Sequence, residues 1–233
     1  MGDTMLKKEM LERALRIKEA HYGPEHVEVA ITLVNLANAV GALGDTMLMK
    51  EMLERALRIK EAHYGPEHVV VAITLTNLAN AVGALGDTML KKEMLERALR
   101  IFEAQYGPEH FEVAIILHDL ANAVGGLGDT MLKKEMLERV LRIFEAQYGP
   151  EHVEVAKIFH DLASAVGDLG DTMLKKEMLE RALRIKEAHY GPEHVEVAGT
   201  LHDLANAVGG LGDTMLKKEM LERALRIKEA HYG

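Results

Sequence analysis

The chain opens with Gly2-Asp3-Thr4-Met5-Leu6, and the same five residues return at 44–48, 86–90, 128–132, 170–174 and 212–216. The spacing is 42 residues throughout, and no insertion breaks the phase. The sequence therefore consists of units 2–43, 44–85, 86–127, 128–169 and 170–211 and a partial unit 212–233. A period of this length is typical of a solenoid, in which each unit packs on its neighbours to bury its apolar face. We predict a single repeat domain over residues 1–233.

Each unit contains two helical patterns separated by a Gly-Pro turn. In the first unit the earlier pattern runs from Thr4 to about His21, and its apolar residues recur at Leu6, Met10, Ala14 and Ile17. This is the spacing of an amphipathic helix, with Asp3 as the predicted N-cap. The later pattern runs from about Glu25 to Leu43. No window alternates with period two, so we predict an all-α chain of eleven helices, each about 17 residues long.

The composition argues against several classes of protein. The net charge is −9 and basic residues form no stripe, which disfavours a nucleic-acid binder. No apolar run approaches the roughly 18 residues needed to span a bilayer, and the charged residues 1–10 do not resemble a secretory signal. The chain has no cysteine, which excludes disulfides and thiol catalysis. We therefore expect a cytoplasmic protein with neither a membrane nor a nucleic acid as partner.

A family resemblance is carried by the apolar and small residues of the repeat, at Leu33, Leu36-Ala37, Val40, Gly44, Leu53 and Ala56-Leu57. This run resembles the signature of the tetratricopeptide repeat. The 42-residue length and the linker at residues 64–68, Tyr-Gly-Pro-Glu-His, resemble the longer subtype of kinesin light chains. The resemblance implies a right-handed superhelical α-solenoid of antiparallel helix pairs. It also implies a non-enzymatic scaffold with a concave groove, lined by the helix at 25–43 and its counterparts, for peptides or partner helices.

Differences among the copies concentrate on this implied groove. Only 13 of the 42 repeat positions vary, but they include five of the six positions that the resemblance places in the groove. The predicted groove residues are Val34, Asn35, Asn38, Thr76, Asn77, Asn80, His118, Asp119, Asn122, Lys157, His160, Asp161, His202, Asp203 and Asn206. In the family an asparagine at the position of Asn38 often bonds the ligand's backbone, which suits its two donors and its acceptor. Tolerance of change at exposed positions would also produce this variation.

The charge of the later copies indicates the kind of partner. Their groove positions carry aspartate and histidine, and Lys157 is the only basic residue among them. We therefore expect a protein or peptide partner, with a preference for a basic segment. A clamp for a C-terminal carboxylate is disfavoured because it requires several basic residues. The alternative function is a designed or structural solenoid that has no specific ligand.

Twelve histidines raise the question of a metal or catalytic site. Pairs such as His21 and His26 flank turns, but zinc sites need three or four ligands, and Gln105 replaces the first histidine in its unit. The His-Asp dipeptides of the later copies resemble a catalytic dyad in sequence alone, because adjacent helix residues do not face each other. Ser164 is the only serine. We predict no metal, no cofactor and no catalytic residue.

Two features of the repeat leave alternatives open. Phe102 and Phe144 replace lysine in the same two copies in which Ile116 and Ile158 replace threonine. These linked changes fit a contact between Phe102 and Ile116 across the linker, and they fit equally well a recent duplication of one copy from the other. Gly41 and its counterparts lie inside a predicted helix, where glycine costs about 1 kcal/mol relative to alanine. The sequence offers no reason for this glycine.

The last helix has no following helix in this sequence to pack against. We expect Leu216, Met220 and Ile227 to remain open to solvent. An open apolar face favours association, so we expect weak self-association through the uncapped terminal helices.

Overall fold

The computed structural model describes residues 2–233, and within that range it contains helices and no strand. The eleven helices are α1 (Gly2–Tyr22), α2 (Val27–Ala42), α3 (Thr46–Tyr64), α4 (Val69–Ala84), α5 (Thr88–Tyr106), α6 (Phe111–Gly126), α7 (Thr130–Tyr148), α8 (Val153–Asp168), α9 (Thr172–Tyr190), α10 (Val195–Gly210) and α11 (Thr214–Tyr232). The predicted all-α class and the predicted number of helices are confirmed. Odd helices correspond to the earlier pattern of each unit, and even helices to the later one.

The helices form two compact structural units: the first unit extends up to Leu127, and the second unit runs from Gly128 to Gly233. We call a single 42-residue repeat a copy. In the first unit, consecutive helices from α1 to α6 pack on each other. In the second, α7 to α11 do the same. Neighbour-to-neighbour packing is what a stack of repeated units requires. None of the helices in residues 2–233 has the length and apolar character of a bilayer span.

The odd helices begin at an aspartate cap in every copy except the first. Asp45 is the N-cap of α3, and its side chain accepts a hydrogen bond of 3.1 Å from the Leu48 amide. The amide of Asp45 in turn donates to the Val40 carbonyl, so the preceding even helix holds the cap in place. Asp3 lies inside α1 rather than at its cap, so the predicted role of Asp3 is wrong.

The even helices begin two residues later than predicted, at a histidine cap. In the first copy α2 starts at Val27, and His26 Nδ1 accepts a hydrogen bond of 3.2 Å from the Glu28 amide. The His26 ring is stacked on Tyr22 with 4.7 Å between ring centroids. The same cap recurs at His68, His110, His152 and His194. Histidine is not a preferred N-cap residue, which is why the sequence pattern placed the helix start at Glu25.

Close packing explains the glycine inside α2, α4, α8 and α10. A Cβ at Gly83 would lie 2.5 Å from Cδ of Lys91, whose side chain crosses Gly83 from the following odd helix. Met49 crosses Gly41 in the same way, and lysines cross Gly167 and Gly209. Glycine therefore leaves room for the first turn of the next helix, which offsets its low helix propensity.

Two buried repeat positions carry a polar pair in some copies and an apolar pair in others. Lys60 is only 5% exposed, and its Nζ donates a hydrogen bond of 2.9 Å to Oγ1 of the fully buried Thr74. The equivalent pair Lys186 and Thr200 is bonded at 3.1 Å. In the third copy the same two positions are Phe102 and Ile116, and both are buried. The Lys60–Thr74 bond shows that these positions are neighbours, which supports the contact predicted between Phe102 and Ile116.

The face predicted to be open at α11 is the wrong one. Ile227 is 1% exposed, and Leu216 and Met220 pack against the core formed with α10. The open face is the opposite one, where Leu225 is 56% exposed and lies beside Leu221 along a shallow surface cavity. In α9 the counterparts of Leu221 and Leu225 are Leu179 and Leu183, which pack against α10.

Candidate functional site

In the first unit the predicted groove positions form two rows on the even helices. Ile31, Ile73 and Ile115 are 40%, 48% and 37% exposed, on α2, α4 and α6 respectively. Asn38, Asn80 and Asn122 are exposed on the same three helices. Each of the first three copies thus offers one apolar and one carboxamide side chain to solvent at repeated positions. We call these two rows the first-unit groove face.

Other predicted groove residues of the first unit serve the fold. Val34 is half-buried and packs against the cores that join α2 to α3. Thr76 donates its hydroxyl hydrogen to the Ala72 carbonyl of its own helix at 3.0 Å. Asn35 is exposed, whereas Asn77, His118 and Asp119 are half-buried. The exposed surface is therefore narrower than the predicted list of groove residues.

In the second unit, groove residues of successive copies meet. His160 Nε2 on α8 lies 3.1 Å from Oδ2 of Asp203 on α10. Lys157 instead forms an ion pair of 2.6 Å with Glu154 of its own helix, and that hydrogen bond raises the pKa of Lys157. The positive charge of Lys157 is thus largely matched within α8. His202 and Asn206 are exposed on α10, and Asp161 is half-buried on α8.

A small cavity of 110 Å³ opens beside the His160–Asp203 pair. Its lining comes from three helices: His160, Ala163 and Ser164 of α8, Lys175 and Leu179 of α9, and Asp203 of α10. We call this cavity the Ser164 pocket. The sequence interpretation missed Lys175, because it lies on an odd helix and enters the pocket by crossing Gly167. The sequence feature that could have indicated this is Gly167, the invariant glycine eight residues before Lys175.

The Ser164 pocket gathers a serine, a histidine and an aspartate, but these do not form a hydrogen-bonded triad. Nucleophilic catalysis by serine requires a hydrogen bond from the hydroxyl to the histidine base. No such bond joins Ser164 to His160, and His160 Nδ1 is buried with no hydrogen-bond partner among residues 2–233. The aspartate that His160 contacts belongs to the next copy, and is not its sequence neighbour Asp161.

The paired histidines at the turns have structural roles. His26 caps α2 and stacks on Tyr22, while His21 contacts the edge of the same ring. Across residues 2–233 there is no cluster of three or more histidine, aspartate or glutamate side chains that could hold a metal ion. The turn histidines thus organise the linker between helices.

The comparisons with known proteins agree with this architecture. Residues 155–196 match the tetratricopeptide repeat family, and the unbroken 42-residue phase carries the same pattern through the other copies. No curated protein sequence matches the chain.

Solved structures match over nearly the whole chain. One is described as a kinesin light chain from Podospora anserina with nearly identical TPR-like repeats; it is 26% identical and has a TM-score of 0.78, covering 89% of this chain and 98% of that one. BtubC from P. vanneervenii is 21% identical with a TM-score of 0.82, covering 99% of this chain and 92% of its own. YrrB, described as a TPR protein with an unusual peptide-binding site, is 17% identical with a TM-score of 0.60, covering 92% and 93%.

The fold is therefore that of a tetratricopeptide repeat solenoid, with residues 155–196 matching the family itself, and the repeats are similar to the nearly identical TPR-like repeats of the Podospora anserina protein. Proteins with this fold are generally scaffolds for interactions with other proteins.

Proposed function

We propose that the chain is a scaffold that holds an extended peptide or a partner helix on the exposed face of its even helices. The observation that carries this proposal is the first-unit groove face, where isoleucine and asparagine are exposed at the same positions of three helices. Burial of the isoleucines would contribute apolar contact, and each asparagine could both donate to and accept from a peptide backbone. The alternative, a solenoid without any ligand, gives the exposed isoleucines no role.

The charge of the second unit supports a preference for a basic segment. Asp168 is exposed, Asp161 and Asp203 are half-buried, and Lys157 is matched by Glu154. Lys175 reduces this preference where it crosses Gly167 next to the groove positions. We therefore expect the attraction of a basic side chain to be strongest near Asp168 and to weaken with added salt. We propose the cytoplasm as the location for this role, since the chain has no cysteine.

The experiment selects a peptide from a random library on the intact chain and measures its affinity by calorimetry. The test variant replaces Asn38, Asn80 and Asn122 with alanine. The control variant replaces Arg16, Arg58 and Arg100, which are exposed on odd helices, with alanine. We expect the asparagine variant to lose affinity by at least about 10-fold and the arginine variant to keep it. An unchanged affinity in the asparagine variant would place the binding surface elsewhere.

We also propose that a second copy of the chain docks on the open face of α11, beside Leu221 and Leu225. The support is the equivalent face of α9, which α10 covers with apolar side chains. This replaces the face predicted from the sequence.

A further inference from the structure

We infer that the Ser164 pocket binds a carboxamide group, such as the side chain of asparagine or glutamine in a partner segment. This inference rests on the proposed function, because it assigns a side-chain specificity to the same face of the even helices. It is argued from the size of the pocket, from the groups that line it and from its counterparts in the other copies.

The size of the pocket follows from one substitution within the repeat. The other four copies carry asparagine where Ser164 stands, at Asn38, Asn80, Asn122 and Asn206. Serine and asparagine share the Cβ, but serine ends in a hydroxyl where asparagine continues into a carboxamide. The 110 Å³ pocket lies where that carboxamide is missing, above the apolar side chains of Ala163 and Leu179. A group of carboxamide size is therefore what the fourth copy lacks.

The charged groups of the pocket are arranged for a ligand that both donates and accepts. The Lys175 ammonium has no hydrogen bond or ion pair in the described part of the chain, although it lies next to the pocket. Asp203 contacts His160 through Oδ2, which leaves Oδ1 without a protein partner over residues 2–233. Lys175 and Asp203 are too far apart to form an ion pair with each other. An ammonium and a carboxylate thus line one small pocket without neutralising each other.

A carboxamide satisfies both of these groups at once. Its oxygen accepts from Lys175, and its NH₂ group donates to Asp203 or to the Ser164 hydroxyl. A carboxylate ligand would be attracted by Lys175 but repelled by Asp203. An ammonium ligand would be attracted by Asp203 but repelled by Lys175. An apolar side chain would leave both charges without partners in a partly dry pocket, which is costly.

His160 is a positioning residue for this pocket. Its Nε2 contacts Oδ2 of Asp203 at 3.1 Å, while its Nδ1 is buried. Because α8 and α10 belong to different copies, this contact sets the distance between the Ser164 side of the pocket and the Asp203 side. The carboxylate is therefore in place before a ligand arrives.

The chain contains a matched control for the inference. In the first unit Asn80, Lys91 and Asp119 occupy the repeat positions of Ser164, Lys175 and Asp203. There asparagine stands in place of serine, and its longer side chain takes up space that Ser164 leaves open. Ser164→Asn should likewise fill the pocket from within, and it should fold because four copies already carry asparagine at this position.

The test uses three blocked tripeptides, acetyl-Gly-X-Gly-N-methylamide, in which X is asparagine, aspartate or leucine. Each is titrated into the ¹⁵N-labelled chain, and the amide shifts of Ser164, Lys175 and Asp203 are followed by NMR. We expect saturable shifts with the asparagine probe and at least about 10-fold weaker binding of the other two. Ser164→Asn should abolish the response, whereas Asn206→Ser, an equivalent change in the fifth copy, should preserve it.

Equal binding of all three probes, tighter binding of the aspartate probe, or an unchanged response in Ser164→Asn would each overturn the carboxamide assignment. The circular dichroism of both variants reports that they are folded. The proposed function and this inference can fail separately. If the library-selected peptide still depends on the asparagines of the first unit while the asparagine probe does not bind, the scaffold stands and the Ser164 pocket is not a ligand site.

Discussion

Lys60 lacks the carboxylate partner that Lys18 and Lys186 have at the same repeat position. Lys18 is paired with Glu28 at 2.8 Å, which lowers the pKa of Glu28, and Lys186 lies 3.7 Å from Glu196. In the second copy Val70 replaces that glutamate, so among residues 2–233 the ammonium of Lys60 has the Thr74 hydroxyl as its sole partner. Burial accordingly lowers the pKa of Lys60.

Val70→Glu should therefore stabilise the chain. The new carboxylate restores the ion pair of the first and fifth copies, and we expect the free energy of unfolding to rise by about 0.5–1 kcal/mol, because the glutamate is half-exposed and screened. Urea denaturation measures the change. The control is the same substitution in a Lys60→Met background, where the gain should vanish in a double-mutant cycle. An equal gain in both backgrounds would contradict the pairing.

The lowered pKa of Lys60 also predicts a pH dependence. The unfolded chain, in which the lysine has its ordinary pKa near 10.5, binds the proton more tightly than the folded chain. Protonated Lys60 thus reduces stability below its folded pKa, and this penalty is relieved as pH rises from that value towards 10.5. Lys60→Met should be more stable than the parent at neutral pH, and the difference should shrink in alkali. A difference that is constant with pH would contradict this reading.

Gly199 is a further position at which a single side chain should be informative. It lies inside α10, where the other copies carry isoleucine or lysine, and a Cβ at this position would meet no atom within 4 Å. Gly199→Ala should raise the free energy of unfolding by about 1 kcal/mol. Gly209→Ala is the matched control in the same helix. Its Cβ would lie 2.5 Å from Lys217 Cδ, so the free energy of unfolding should rise less in this variant. Equal gains would contradict the close-packing account of the invariant glycine.

At the scale of the element, the linker between α3 and α4 is held by three side chains. The histidine cap accepts from the helix amide, the preceding tyrosine stacks on its ring, and an arginine from the next odd helix donates to the proline carbonyl. In the second linker these are His68, Tyr64 and Arg97, and the Arg97–Pro66 bond is 2.8 Å. The linker is thus fixed to its own helix and to the next copy.

His68→Ala should lower the free energy of unfolding by about 1 kcal/mol, because the Val70 amide loses its cap acceptor. His68→Asn should retain most of the stability, since asparagine supplies an acceptor at the cap. Thermal and urea denaturation measure both variants. His63→Ala is the control, because exposed His63 contacts only the edge of Tyr64. A loss of similar size at His63 would show that the cap is not the cause.

The elements could be predicted from the sequence because the apolar periodicity and the Gly-Pro turns are repeated without interruption. The cap at His26 could not be predicted from the sequence. Its role depends on the orientation of Nδ1 and on the stacking of Tyr22, which residue preferences do not encode. The candidate site was predicted in part: His160 and Asp203 were placed on one face. Their pairing across copies, and the entry of Lys175, depend on how helices pack and not on spacing along one helix.

At the scale of the whole molecule, Leu225→Lys tests whether a second copy docks on α11. A charge in the apolar face should weaken self-association by at least about 10-fold, because an interface would bury it without a partner. Sedimentation equilibrium over a range of concentrations measures the effect. Met131→Lys, on an equally exposed apolar side chain of α7, is the control and should leave the association unchanged. A parent chain that is monomeric throughout would contradict docking.

The exchange of Lys60–Thr74 for Phe102–Ile116 has a consequence for folding fidelity. In a chain of near-identical copies, an odd helix can dock on the even helix of a different copy. The product would be a chain with its repeats out of register or a domain-swapped dimer. Docking of α3 on α6 would bury the Lys60 ammonium against Ile116 and leave it without its hydroxyl acceptor. The buried pairs that differ therefore disfavour docking between a copy with the polar pair and a copy with the apolar pair, which reduces the number of wrong pairings open to near-identical repeats.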